Sequence, residues 1–137
     1  MKRIFLDTNI FADLVGERTQ FKSGIEELIS MEDFPTLYIS ALSIPITLYS
    51  LKIKAETPEF YRFSEISSWL EILPLTGTLI RDALKCESPD YEDTLQYLTA
   101  IENNCDYLLT RDKKHFSKIA KLIPSKTEII HNTSQIK

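Results

Sequence analysis

This chain is poor in the residues that make loops, staples and membrane anchors: three glycines, six prolines and two cysteines. So little Gly and Pro argues against low complexity and long disorder. Cys86 and Cys105 stand apart with no CxxC, so no disulfide framework is expected, and they read as free, partly buried thiols of a reducing compartment. Together with His115 and His131 they form no ligand pair at short spacing, which argues against zinc. No apolar run approaches the ~20 residues of a membrane span. The run after Met1-Lys2-Arg3 is interrupted by Asp7, too early for a signal peptide, so a cytoplasmic location without membrane contact is expected. Positive charge is scarce over most of the chain. From Arg111 to Lys137 there are seven Lys/Arg against two Asp/Glu, a net +5, which leaves −9 on the residues before it and −4 overall. A basic tail is an electrostatic footprint for phosphate or a solvated helix face. The acidic body needs cations before it can meet a polyanion.

What is present is ordinary globular composition, 43% hydrophobic and 26% charged over 137 residues. That suits one domain, 1–137, with one core. Arg3-Ile4-Phe5-Leu6 reads as a buried strand ending at the polar turn Asp7-Thr8-Asn9. Ile10, Phe11, Leu14 and Val15 follow at helical spacing, closed by Gly16. Phe21, Ile25, Leu28 and Ile29 mark a second helix, and Thr36–Ser40 a second strand. Leu42 to Lys54 is apolar at several spacings, with Pro45 in a first turn. Pro58 opens a helix running to about Leu70, and Glu71–Leu75 is a third strand ending near Pro74. Helices are expected over Thr78–Cys86 and over Tyr91–Asn103, where Leu95, Leu98, Thr99 and Ile101 point inward. Asp106–Thr110 is a fourth strand, Lys113–Leu122 a basic helix, and Thr127–His131 a last strand. Strands alternating with helices predict an α/β fold on a mainly parallel central sheet of about four to five strands.

Acids recur in one structural context. Asp7 follows the first strand and Asp112 the fourth, and ligands gather beyond the carboxyl ends of parallel strands. Asp90, Glu92 and Asp93 open the helix that feeds the fourth strand, where the helix dipole alone would also favour acids. Crowded carboxylates raise each other's pKa, and a hard divalent cation, Mg²⁺ or Mn²⁺, relieves them. Such a cation lowers the pKa of a bound water and stabilises charge on a phosphodiester. Asn9 and Thr110 are placed to orient ligands or substrate by neutral hydrogen bonds.

Four blocks then carry a specific resemblance. Ile4-Phe5-Leu6-Asp7-Thr8-Asn9, Ile39-Ser40-Ala41-Leu42-Ser43, Asp90-Tyr91-Glu92-Asp93, and Leu108-Leu109-Thr110-Arg111-Asp112-Lys113-Lys114-His115-Phe116 resemble, in order and over nearly the whole chain, the motifs of PIN domains, and among these the VapC-type toxins of bacterial toxin–antitoxin systems. The resemblance implies a three-layer α/β/α fold and a metal-dependent ribonuclease. It makes Asp7, Asp93 and Asp112 the catalytic and metal-holding acids, with Asn9, Thr110, Glu92 and Asp90 in support. It also implies an RNA substrate, a cognate antitoxin and a homodimer. Arg111, Lys113, Lys114 and Lys118 are the candidates for steering the RNA backbone. One position departs from the pattern: the glutamate common on the helix after the second strand is Ile46, with Thr47 beside it. The alternative reading is therefore a PIN-fold protein that binds RNA or a partner without cutting. A haloacid-dehalogenase-like phosphatase would need a second Asp at position 9, which is Asn9, and the paired acids of a receiver domain are absent. Trp69 is expected in core or interface packing. Tyr38, Tyr49, Phe60 and Tyr61 are expected in the core, with an antitoxin-facing surface as their other role. His115 reads as a solvated residue of the basic helix, with acid/base work as its alternative, and His131 as incidental.

Overall fold

The structure, a computed structural model, describes residues 2–18 and 23–137. Five strands form the central sheet: β1 (Arg3–Leu6), β2 (Thr36–Ser40), β3 (Glu71–Leu73), β4 (Tyr107–Leu109) and β5 (Glu128–Ile130). Seven helices are described: α1 (Thr8–Val15), α2 (Ile25–Ile29), α3 (Ser43–Ser50), α4 (Pro58–Ser68), α5 (Gly77–Lys85), α6 (Tyr91–Glu102) and α7 (Lys113–Leu122). Every strand pair is parallel, in the order β3-β2-β1-β4-β5. The chain builds outward from β1 in one direction, then crosses back to build in the other. The crevice where the order reverses therefore lies at the carboxyl ends of β1 and β4.

Side chains alternate across the strands and so divide the core in two. Ile4, Leu6, Leu37, Ile39, Leu109 and Ile130 pack on one face against Ile10, Phe11 and Leu14 of α1 and Phe63 and Ile66 of α4. Phe5, Tyr38, Leu108 and Ile129 pack on the other against Tyr97 and Ala100 of α6 and Phe116 and Ile119 of α7. Leu79 and Ala83 of α5 close on Leu95 of α6 in a smaller cluster. The result is the expected α/β/α arrangement. Leu95 and Thr99 are buried as the spacing predicts, with Leu98 and Ile101 partly so.

Most helix starts are visible in the sequence because a side chain caps them. Thr57 accepts from the Phe60 N–H with Pro58 at the first position, Thr76 accepts from Leu79, and Asp90 accepts from Asp93. Gly16 ends α1 as predicted, although the left-handed backbone belongs to Glu17, with φ 54°. Gly24, at φ 85°, precedes α2 where an added Cβ would collide with Thr133. Phe21, placed in that helix by spacing, lies outside the described residues. A short 3-10 helix at Thr133–Gln135, closed by an Asn132–Gln135 capping box, was not anticipated.

Two expectations need correction. Tyr49 and Tyr61 are not core residues; they are 88% and 62% exposed. Trp69 is 44% exposed, just past the last residue of α4, beside Leu14, Ile29 and Ile66. Helical spacing marks a face but not whether a neighbour covers it. Tyr38 is buried as expected and Phe60 is half-buried. Both cysteines are free, and burial pushes the Cys105 thiol up to about 11, so it stays protonated. Among the described residues no helix is long and apolar enough to cross a membrane.

Phe11 meets Phe63 edge-on, with ring centroids 5.5 Å apart, in the layer that seats α1 on the sheet. Phe11→Ala is expected to lower stability by about 3–5 kcal/mol in urea denaturation. A loss under about 1 kcal/mol would contradict this packing.

Candidate active site

The register of β1 against β4 pairs Leu6 with Leu109, so both strands end at the same height. The next N–H, from Asp7, still bonds the Leu109 carbonyl at 3.0 Å, and Thr110 bonds the Ile130 carbonyl at 3.0 Å. This carries Asp7 to the crevice with its backbone committed and its side chain buried, 4% exposed. One carboxylate oxygen accepts the Thr8 N–H at 2.8 Å, and the other accepts the Thr110 hydroxyl at 2.8 Å. The same Thr110 oxygen accepts the Asp112 N–H at 2.9 Å. One hydroxyl thus ties the end of β1 to the start of α7, across 103 positions of sequence. Burial pushes the Asp7 carboxyl up to about 6. The two hydrogen bonds oppose that shift, and the nearby charges of Glu92 and Asp112 add to it.

The opposite wall is the N-terminus of α6. Asp90 is its cap, so the bland reading of that acid is correct as far as its Oδ1 goes. Asp93 stands in the first turn, largely buried. Burial, followed by the charges of Asp7 and Asp90, pushes its carboxyl up to about 8. A helix N-terminus favours an anion, but the loss of water and the neighbouring acids outweigh that here. Asp112 sits at the N-cap of α7 and makes no capping bond with its side chain. Its Oδ2 is 2.8 Å from His115 Nδ1, which is 3.9 Å from Asp93 Oδ2. The three acids singled out by sequence therefore gather at one rim, with His115 among them.

Glu92 is more exposed; burial and then the Asp90 charge raise its pKa. It lines an apolar pocket with Leu42, Ile46, Leu75, Tyr91 and Leu95. Ile46 thus presents hydrocarbon beside Glu92, while Thr47 is fully buried with no partner for its hydroxyl. Asn9 accepts the Arg111 N–H through a long bond of 3.4 Å. The Arg111 guanidinium contacts the buried Asp13 at 2.8 Å, alongside Arg18 at 3.0 Å. Lys113, Lys114 and Lys118 are exposed on α7.

Sequence reasoning missed the support behind the acids. Gln96, fully buried, donates to Thr8 Oγ1 at 2.6 Å and to Ser43 Oγ at 3.2 Å, and those two hydroxyls are 2.7 Å apart. The available signal was a glutamine on the inward face of an amphipathic helix. Asp13, an acid among the inward residues of α1, was a similar signal.

With this geometry in view, residues 4–122 match the family model of the PIN domain. The chain belongs to the PIN domain family. Ribonuclease VapC1 of Aquifex aeolicus (strain VF5) is 26% identical over 123 residues, covering 85% of each chain. VapBC2 from Rickettsia felis, solved bound to a DNA fragment from its promoter, contains a chain that superposes with a TM-score of 0.65 at 20% identity, covering 93% of this chain and 97% of its own. FitAcB from Neisseria gonorrhoeae gives 0.61 at 18% identity, covering 93% and 96%. These structures share the three-layer PIN fold.

The raised Asp7 carboxyl has a sign that can be tested. Its folded pKa lies above the ordinary aspartate value of 3.8. Folding therefore takes up a proton as pH passes between about 4 and 6, and the stability it contributes at low pH is lost as pH rises through about 6. The PIN-fold chain in EDTA is thus expected to lose stability across this window. Asp7→Asn should be the more stable protein at pH 8, by up to about 3 kcal/mol, with the gap closing toward pH 4. Urea midpoints at the two pH values measure this, and an Asp7→Asn protein less stable than wild type at pH 8 would contradict it.

Proposed function

We propose that this PIN-domain chain is a divalent-cation-dependent endoribonuclease, the toxin component of a type II toxin–antitoxin pair, using Mg²⁺ or Mn²⁺. The observation that carries this reading is the meeting of Asp7, Asp93 and Asp112 at the strand-reversal crevice. Asp7 is there pushed up to about 6 by burial with the charges of Glu92 and Asp112, and Asp93 to about 8 by burial with the charges of Asp7 and Asp90. Such a donor set, all carboxylate oxygen and short of positive charge, fits a hard cation. Asp7, Asp93 and Asp112 would hold it, and Glu92 is the acid next to the side chain of Ile46. When bound, the cation supplies a water of lowered pKa and positive charge for a phosphodiester.

The chain's own residues do the rest. Thr110 and Thr8 hold both oxygens of Asp7, so the carboxylate cannot rotate away from the rim. Gln96 fixes Thr8 from behind. Asp13 keeps the Arg111 end of the β4–α7 loop against α1, and so sets where Asp112 stands. Lys113, Lys114 and Lys118 offer exposed ammonium groups to an RNA backbone along α7. Kinship with Ribonuclease VapC1 supports an RNA substrate, and a PIN-fold chain in a toxin–antitoxin complex from Klebsiella pneumoniae supports an antitoxin partner; a homodimer and a cytoplasmic location belong to the same reading. Tyr49, Tyr61 and Trp69, each exposed, are the aromatic residues offered to such a partner in this reading.

Ile46 favours a second reading, a PIN-fold protein that holds RNA or its partner without cutting. Cleavage separates the two. Single-stranded RNA is expected to be cut in Mg²⁺ or Mn²⁺ and not in EDTA. Asp7→Asn and Asp93→Asn should each slow cutting about 100-fold or more, with unchanged circular dichroism. Full activity in either variant would sink the assignment, and folded wild type that binds RNA without cutting it would leave the second reading. Lys114→Ala or Lys118→Ala should flatten the salt dependence of RNA binding by close to one phosphate's worth of slope, about 0.7 for a single strand. Unchanged slopes would remove α7 from the RNA path.

A further inference from the structure

The carboxylates of the cleft share it with a nitrogen donor. His115 lies near the start of α7 with Nδ1 2.8 Å from Asp112 Oδ2 and 3.9 Å from Asp93 Oδ2. Ligand atoms of Asp90, Asp93 and His115 all lie within 4.8 Å of one another. Ligands on one ion, at bonds of about 2.1 Å, stand about 3–4 Å apart, so the Asp93–His115 spacing suits a shared ion. Two helix N-termini, those of α6 and α7, present this mixed oxygen and nitrogen set.

A second observation points the same way. Gln96, fully buried and one helical turn beyond Asp93 on the same face, spends its amide nitrogen on Thr8 and Ser43. Its carbonyl oxygen has no hydrogen-bond partner. A buried acceptor without a protein partner, on the residue that bonds Thr8 beside Asp7, calls for a water or an ion to satisfy it. Ile46, beside Glu92 in the apolar pocket, brings no oxygen donor.

We propose that His115 and Asp90 join Asp93 as ligands of the cleft cation, and that the imidazole makes the site select a first-row transition cation over Mg²⁺. The inference rests on the reading of the acidic cleft as a cation site. The imidazole Nδ1 faces Asp112 Oδ2 at 2.8 Å, on the side where Asp93 also stands. Mg²⁺ keeps its waters and prefers oxygen, whereas imidazole suits the borderline transition cations. His115 supplies from α7 a donor that α3 does not.

The test is binding, independent of RNA. The metal-free full chain is titrated with Mn²⁺, read by the electron-spin resonance of free Mn²⁺, and with Mg²⁺, read by calorimetry. Wild type, His115→Ala and Asp90→Asn are compared. Wild type should bind Mn²⁺ more tightly than Mg²⁺. His115→Ala should lose about tenfold or more in Mn²⁺ affinity while keeping its Mg²⁺ affinity, which also shows that the variant is folded. Mn²⁺ should broaden the His115 imidazole resonances first among the histidines. Asp90→Asn should weaken both ions. Equal losses for both ions in His115→Ala, no loss, or no Mn²⁺ binding by wild type would overturn the proposal. Mn²⁺ held through His115 without RNA cleavage sinks the nuclease reading alone, and cleavage with Mn²⁺ affinity unchanged in His115→Ala sinks this inference alone.

Discussion

A carboxylate nine-tenths or more removed from water is costly unless its oxygens are satisfied. At Asp7 the Thr8 amide and the Thr110 hydroxyl do this, one for each oxygen. The second of these exists only because β1 and β4 are paired in parallel with Leu6 opposite Leu109. From that pairing follow the strand-reversal crevice, the approach of α7, and the position of Asp112, whose own N–H returns to the same threonine oxygen. Thr110 is thus at once the donor that holds Asp7 and the acceptor that turns the chain into the next helix.

Hydrogen bonds alone do not settle the electrostatics of the cleft. Asp7, Asp93 and Asp112 gather there with the basic His115 beside Asp93 and Asp112. The Arg111 guanidinium is turned to Asp13. Desolvation and like charge push Asp7 and Asp93 well above the usual carboxylate range. Such an arrangement costs stability while the acids are charged. The lysines Lys113, Lys114 and Lys118 of α7 are exposed, whereas Asp7 is buried.

Ile46 changes the character of one wall. In its place among Leu42, Leu75, Tyr91 and Leu95 it makes that side apolar, with Glu92 as its one charged member. None of Asp7, Asp93 and Asp112 lines that pocket. Helix α3 still gives the site polar support, because its Ser43 hydroxyl meets Thr8 and Gln96.

The elements were legible because each carries a local signal. Strands are short apolar runs, helix starts have capping Thr or Asp with Pro58 at one of them, and the acids follow strands. Boundaries shifted by one to four residues where fraying ends have no such marker, as at Lys54 and Leu75. The sequence by itself determined the α/β alternation and the PIN motifs, and it singled out Asp7, Asp93 and Asp112 as candidates, since these depend on residues close together in the chain. Tertiary structure alone decided that Tyr49 and Tyr61 are exposed, that Arg111 pairs with Asp13, and that Gln96 reaches Thr8 and Ser43. It also decided that His115 stands between two carboxylates. Each of those depends on which helix packs over which strand, a choice made by the whole core and not by any window of sequence.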